Sequence, residues 1–91
     1  MNGYNIFHNS VAFNKFSCVV PLLEKFGLPI DSLSAHQQTG LMIACNYGFL
    51  KMVHYLVERG ANINLVDSSG FSPLLFAVKS NNLWVVAYLL S

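Results

Sequence analysis

The chain repeats itself at an interval of 33 residues, and no other feature limits its fold as severely. At that offset Gly27-Leu28-Pro29-Ile30-Asp31 falls on Gly60-Ala61-Asn62-Ile63-Asn64, and Val20 and Leu23 fall on Val53 and Leu56 and again on Val86 and Leu89. Between the second and third copies Thr39 aligns with Ser72, Leu41 with Leu74, Ala44 with Ala77, Leu50 with Leu83 and Tyr55 with Tyr88, without an insertion or deletion. A fixed period of roughly 20 to 50 residues marks a solenoid, in which a unit too small to bury its own apolar face stacks on the next. The 91 residues hold two and a half to three such units in a single domain, 1–91.

Local signals within one period predict two helices and an extended arm. Ser72 suits an N-cap and Pro73 the first helical position, so a short helix is expected over Pro73 to Lys79, ended by Ser80-Asn81-Asn82. Leu83 to Leu90 carries apolar residues at helical spacing on most of its faces. The matching helices of the middle copy are expected at Gly40 to Tyr47 and Leu50 to Arg59, with Gly60 in the left-handed position just past the second. Asn62 to Gly70 is rich in residues that bond their own backbone, which predicts an extended arm with a tight turn at its tip, opened by Asp67.

Asp67-Ser68-Ser69-Gly70-Phe71-Ser72-Pro73-Leu74-Leu75-Phe76-Ala77 and Gly60-Ala61-Asn62-Ile63-Asn64 resemble the ankyrin repeat, with its Thr-Pro-Leu-His-x-Ala signature and Gly-Ala-Asp-Val-Asn ending. The resemblance covers Ser34 to Ser91 closely and Ile6 to Leu33 loosely. It implies an all-α solenoid of stacked helix-turn-helix units with β-turn fingers: a degenerate repeat over 1–33, a central one over 34–66 and a truncated one over 67–91. Departures set further expectations. Met42 and Leu75 stand in the histidine position and cannot bond between neighbouring turns. Gln37 replaces the turn glycine, which predicts a less sharply turned finger. His8-Asn9-Ser10-Val11 replaces the signature in the first copy, and Pro21 is expected in the first turn of its second helix.

Composition excludes several classes of function. Hydrophobic residues make up 54% and charged residues 10%, against roughly 45 to 50% and about 25% in ordinary domains. With a formal charge of +1 the chain carries no basic stripe, so nucleic acid is not an expected partner. Lys79-Ser80-Asn81-Asn82 interrupts the apolar stretch Phe71 to Leu90, which argues against direct membrane insertion. The first ten residues lack a secretory pattern, so a cytoplasmic setting is expected, with Cys18 and Cys45 as buried, reduced thiols. Asp31, Asp67, Glu24 and Glu58 are the only acids, and His8, His36 and His54 have no partners at metal-ligand spacing. No nucleophile elbow or phosphate loop occurs, so neither catalysis, metal nor cofactor is expected.

Surface recognition is what the resemblance implies, because fingers and first helices of ankyrin repeats line a concave face that binds a protein or peptide. The family's variable positions fall here on Leu33, Ala35, His36, Gln38, Asn46 and Tyr47 in the middle copy, and on Val66, Ser68, Ser69, Phe71, Lys79 and Ser80 in the third. Tyr47 and Phe71 are the expected aromatic anchors; packing on the neighbouring finger is the alternative for Phe71. Trp84 takes the place of Lys51, a position exposed on the back of the second helix, while Tyr55 and Tyr88 are expected between repeats in the core. Val85-Val86-Ala87-Tyr88-Leu89-Leu90 also looks like ankyrin segments of DHHC-type palmitoyltransferases, which implies an alternative role as the recruiting segment of a larger enzyme or channel. A third reading is a free-standing structural piece. Leu83, Val86, Leu89 and Leu90 have no following repeat to cover them, so a fragment of a longer array and self-association through that end are both expected.

Overall fold

The computed structural model describes residues 5–91, so the start of the expected first repeat, residues 1–4, lies outside the described residues. Its helices are α1 (Ile6–Ala12), α2 (Phe16–Glu24), α3 (Gly40–Tyr47), α4 (Leu50–Glu58), α5 (Pro73–Lys79) and α6 (Leu83–Leu90). They form three pairs, and the first helix of each pair packs on the first helix of the next. No strand occurs among the described residues.

Each pair begins at a side-chain cap and turns at a left-handed residue. The hydroxyls of Thr39 and Ser72 accept the N–H of Met42 and Leu75, satisfying donors that the first helical turn leaves open. Asn14, Gly48 and Asn81 take positive φ at the corner between the helices of their pair. From there the backbone N–H groups of Lys15, Phe49 and Asn82 reach back to the carbonyls of Ser10, Ala44 and Ala77. This repeated hydrogen bond fixes the true register of the copies.

In the first copy that register differs from the uniform 33-residue reading. Asn5 caps α1 as Thr39 caps α3, Lys15 answers Phe49, and Glu24-Lys25 answers Glu58-Arg59, all 34 residues apart. The extra residue is absorbed at the end of α2: the N–H of Leu28 spans back to Leu22, six residues away, where that of Ala61 reaches Leu56, five away. The signature position is therefore held by Asn5-Ile6-Phe7-His8, not replaced from His8 onward. His8 fills the histidine role. Its Nδ1 accepts the N–H of Asn5 at 3.3 Å, so Nε2 carries the hydrogen and donates to the carbonyl of Ser32 at 2.9 Å.

Other expectations also change. Met42 lacks the bond between turns, yet its Sδ accepts the N–H of Thr39 at 3.3 Å and completes the cap. Pro21 is the sixth residue of α2 rather than in its first turn, and its carbonyl takes both the Lys25 and Phe26 N–H groups. Cys18 is exposed and only Cys45 is buried, because Cys18 lies on the outer side of α2; both are free. Tyr55 and Tyr88 are half-buried bridges at the edge of the stack: Tyr55 donates to Glu24 at 2.7 Å and meets Phe16 edge-on, and Tyr88 lies against His54.

The core runs through the pairs as one apolar cluster that includes Phe7, Val11, Val19, Leu41, Met52, Leu56, Phe76 and Val85. Gly40 is needed at the α1–α3 crossing, where an added Cβ would stand 2.7 Å from the Phe7 ring. The pairs are further tied by the Asn82 amide, which donates to the carbonyls of Cys45 and Asn46 and so caps the end of α3.

Candidate functional site

The two fingers are built by the same device on different residues. Asp67 Oδ1 accepts the N–H groups of Ser69 and Phe71 at 2.9 Å, and Gly70 takes φ +84° as its N–H bonds back to Asp67. In the preceding finger the Ser34 hydroxyl accepts from His36 and Gln38, and Gln37 occupies the glycine place with φ +61°. The finger carrying Gln37 is thus turned as tightly as its neighbour, because the side chain at its first position closes it. The Ser68 N–H donates to the His36 carbonyl at 3.1 Å and holds the two tips side by side. At their bases the Asn62 N–H donates to Asp31.

This arrangement brings some of the expected contact residues together and diverts others. Ala35, His36, Ser68 and Ser69 are exposed on the joined tips, and Leu33 and Val66 are about half exposed beside them. Tyr47, 52% exposed, stacks on Phe49 with ring centroids 5.5 Å apart. Gln38, Asn46 and Tyr47 line a narrow cleft with Met42, Ile43 and Phe76, of about 30 Å³. That volume holds about one water, so a ligand would lie across the surface rather than enter it. Asn46 accepts the Ser80 hydroxyl at 2.7 Å, so both polar groups serve the contact between repeats. Phe71 is half-buried against Phe76, and the ammonium of exposed Lys79 sits 5.2 Å from its ring centroid. Its packing therefore runs along its own repeat.

The ionisable groups are spread out, not convergent. No set of His, Cys, Asp or Glu side chains able to hold a metal occurs among the described residues. His54 and Glu58 form an exposed pair at 3.5 Å on α4. Burial pushes the Cys45 thiol up to about 12. Desolvation, then the bond to Glu24 and the charge of that carboxylate, raise the Tyr55 hydroxyl, while Arg59 opposes the shift. Neither group is placed to act on a ligand at the fingers. No helix among the described residues is long and apolar enough to cross a membrane.

Away from the fingers, Trp84 is 79% exposed and borders a groove of about 330 Å³ with Leu50, Lys51, His54 and Tyr88. Sequence reasoning placed Trp84 correctly but missed the clasp made by Asn82, whose only signal was an Asn-Asn pair ahead of a helix. It also passed over Val78, an ordinary helical apolar residue by pattern that is more than half exposed.

Residues 3–91 match the family profile described as ankyrin repeats (3 copies). Ankyrin repeat domain-containing protein 53 of Homo sapiens is 28% identical over 81 residues, covering 85% of this chain and 15% of that protein. B-cell lymphoma 3 protein homolog of Mus musculus is 34% identical over 93 residues, covering 98% of the chain and 21% of its own length. Palmitoyltransferase AKR1 of Lachancea kluyveri is 38% identical over 52 residues, 57% of the chain and 7% of that protein. The chain thus spans between 7% and 21% of the length of these relatives.

Proposed function

The chain belongs to the ankyrin repeat family, and we propose that it is a non-enzymatic module that binds a protein or peptide through its joined finger tips and the adjoining end of α3. The bond from Ser68 to the His36 carbonyl carries this reading, because it orders two tips before any partner arrives. A platform already held in place loses little entropy on binding. Ala35, His36, Ser68 and Ser69 offer polar and small contacts, and Tyr47 offers the aromatic anchor. Leu33, Gln38, Asn46, Val66, Phe71, Lys79 and Ser80 shape the surround, with Phe71 and Ser80 supporting it from within their own packing. A cytoplasmic setting is part of the same proposal.

The test begins with a peptide ligand selected by display on the immobilised chain. Tyr47→Ala is expected to weaken that ligand by roughly tenfold or more, as aromatic anchors do, with the far-ultraviolet circular dichroism unchanged. If Tyr47→Ala and His36→Ala both bind as before while Trp84→Ala does not, the site lies on the opposite side of the molecule.

The similarity to Palmitoyltransferase AKR1 supports a second reading, in which the same surface recruits substrates for a larger enzyme. The gene sequence beyond codon 91 separates the two: a Cys-rich segment with membrane spans favours recruitment, and further 33-residue units favour the binding module.

A further inference from the structure

The helices that close the pairs carry a charge bias that the fingers do not share. Lys15, Lys25, Lys51 and Arg59, four of the five basic residues, lie on or at the ends of α2 and α4, and all are exposed. The two acids of those helices are engaged nearby: Glu24 accepts the Tyr55 hydroxyl at 2.7 Å, and Glu58 lies 3.5 Å from His54. The other two acids, Asp31 and Asp67, bond backbone N–H groups of the finger segments. The groove of about 330 Å³ between α4 and α6 belongs to this basic side. Half-buried Tyr88 packs there on His54 with ring centroids 5.3 Å apart, and Leu50 and the 79% exposed Trp84 add apolar surface. Lys51 is the only lysine, arginine or acid in the lining, and no acidic side chain pairs with it among the described residues.

The groove stays open when the stack is extended. Both of its walls, α4 and α6, lie within residues 5–91. Trp84 takes the place on α6 that Lys51 has on α4, and Leu83 that of Leu50. Lys51 and Leu50 remain exposed although α5–α6 is seated on their pair, so a further pair seated on α5–α6 in the same way leaves Trp84 exposed as well.

We propose that this groove docks an acidic segment of a partner protein, with one bulky apolar side chain of the segment against Trp84 and Tyr88 and an adjacent carboxylate on Lys51. Four of the five lining residues are exposed, so the groove holds its occupant from one side. That suits a side chain carried by a larger partner, whereas the sites of small molecules enclose most of the ligand. The surplus of basic groups on this side steers a negatively charged segment to it. A second copy of the chain would bring Lys51 towards its own counterpart. Tryptophan and tyrosine are the side chains on which interface energy concentrates, and both are supplied here. The groove is separate from the finger surface, and its occupancy leaves that surface free.

Trp84 is the only tryptophan, so its fluorescence reports occupancy of the groove in the unaltered chain. The probes are three sets of short synthetic peptides with a central phenylalanine or leucine, flanked by aspartate and glutamate, by lysine and arginine, or by serine and asparagine. The acidic set is expected to shift the Trp84 emission to saturation, to bind roughly tenfold or more tightly than the other two, and to weaken as salt is raised. Lys51→Glu is expected to weaken the acidic set by roughly tenfold or more and to transfer the preference to the basic set, a reversal that a loss of folding does not produce. Trp84→Ala, followed by the anisotropy of labelled peptide, weakens the acidic set by a similar factor, and Tyr47→Ala leaves it unchanged. Circular dichroism melts confirm that the variants fold; where Lys51→Glu does not, Lys51→Met takes its place and is expected to abolish the preference for the acidic set over the neutral one. Equal binding of the three sets, or an emission that no peptide moves, overturns the proposal. So does an acidic set whose affinity survives Lys51→Glu and Trp84→Ala and is lost in Tyr47→Ala.

Discussion

Gln37 holds φ +61° in a turn whose counterpart uses Gly70. A side chain in that region is strained, and glycine there relieves the strain at some entropic loss, so Gln37→Gly is expected to raise stability by roughly 0.5 to 1 kcal/mol in urea denaturation. The sequence alone pointed to a blunter finger because it weighed the fourth turn residue and not the first, Ser34, whose hydroxyl closes the loop. The cysteines were similarly half legible: helical apolar flanks describe both, and only packing separates them. A thiol reagent at neutral pH is expected to modify Cys18 quickly and Cys45 only after unfolding, since Cys45 is buried with its thiol raised to about 12. A raised folded value means that the folded state holds the proton more tightly, so this contribution is intact below pH 9.0 and is lost towards about 12. The urea midpoint should therefore fall across that window, and less steeply in Cys45→Ala, where the Tyr55 contribution of the same sign remains.

Among the elements, α3 and α5 span the residues expected for them: Ser72 and Pro73 are local start signals that tertiary contacts did not override, and the repeat carries the same bounds over to Gly40–Tyr47. The first pair was harder to read. One extra residue at the end of α2 shifts its partner positions to 34, and Asn5-Ile6-Phe7-His8 shares only the histidine with the family signature. Contacts between pairs were invisible in the sequence, and they make distinct predictions. Asn82→Ala removes two hydrogen bonds to the end of α3 and is expected to destabilise by about 1 to 3 kcal/mol in chemical denaturation. Gly40→Ala drives a methyl into the buried Phe7 ring, with an expected loss of roughly 1 to 3 kcal/mol, partly rescued by Phe7→Leu.

For the molecule as a whole, the period announced the stack and the composition announced its unsatisfied apolar surface. Of the four residues that the sequence placed on it, Leu83 and Leu90 are exposed and Val86 and Leu89 are half-buried. The middle pair is covered on both sides, so hydrogen exchange should be slowest in α3 and faster in α6, in keeping with neighbour-dependent repeat stability. The proposed function rests, at this scale, on the pair of tips acting as one surface. Amide chemical-shift mapping of the isotope-labelled chain with a display-selected peptide examines this directly. The largest shifts are expected at Ala35 to Gln38, Ser68 to Phe71 and Tyr47. Shifts confined to Leu50, Lys51, His54 and Trp84, with the finger amides unmoved, would contradict it.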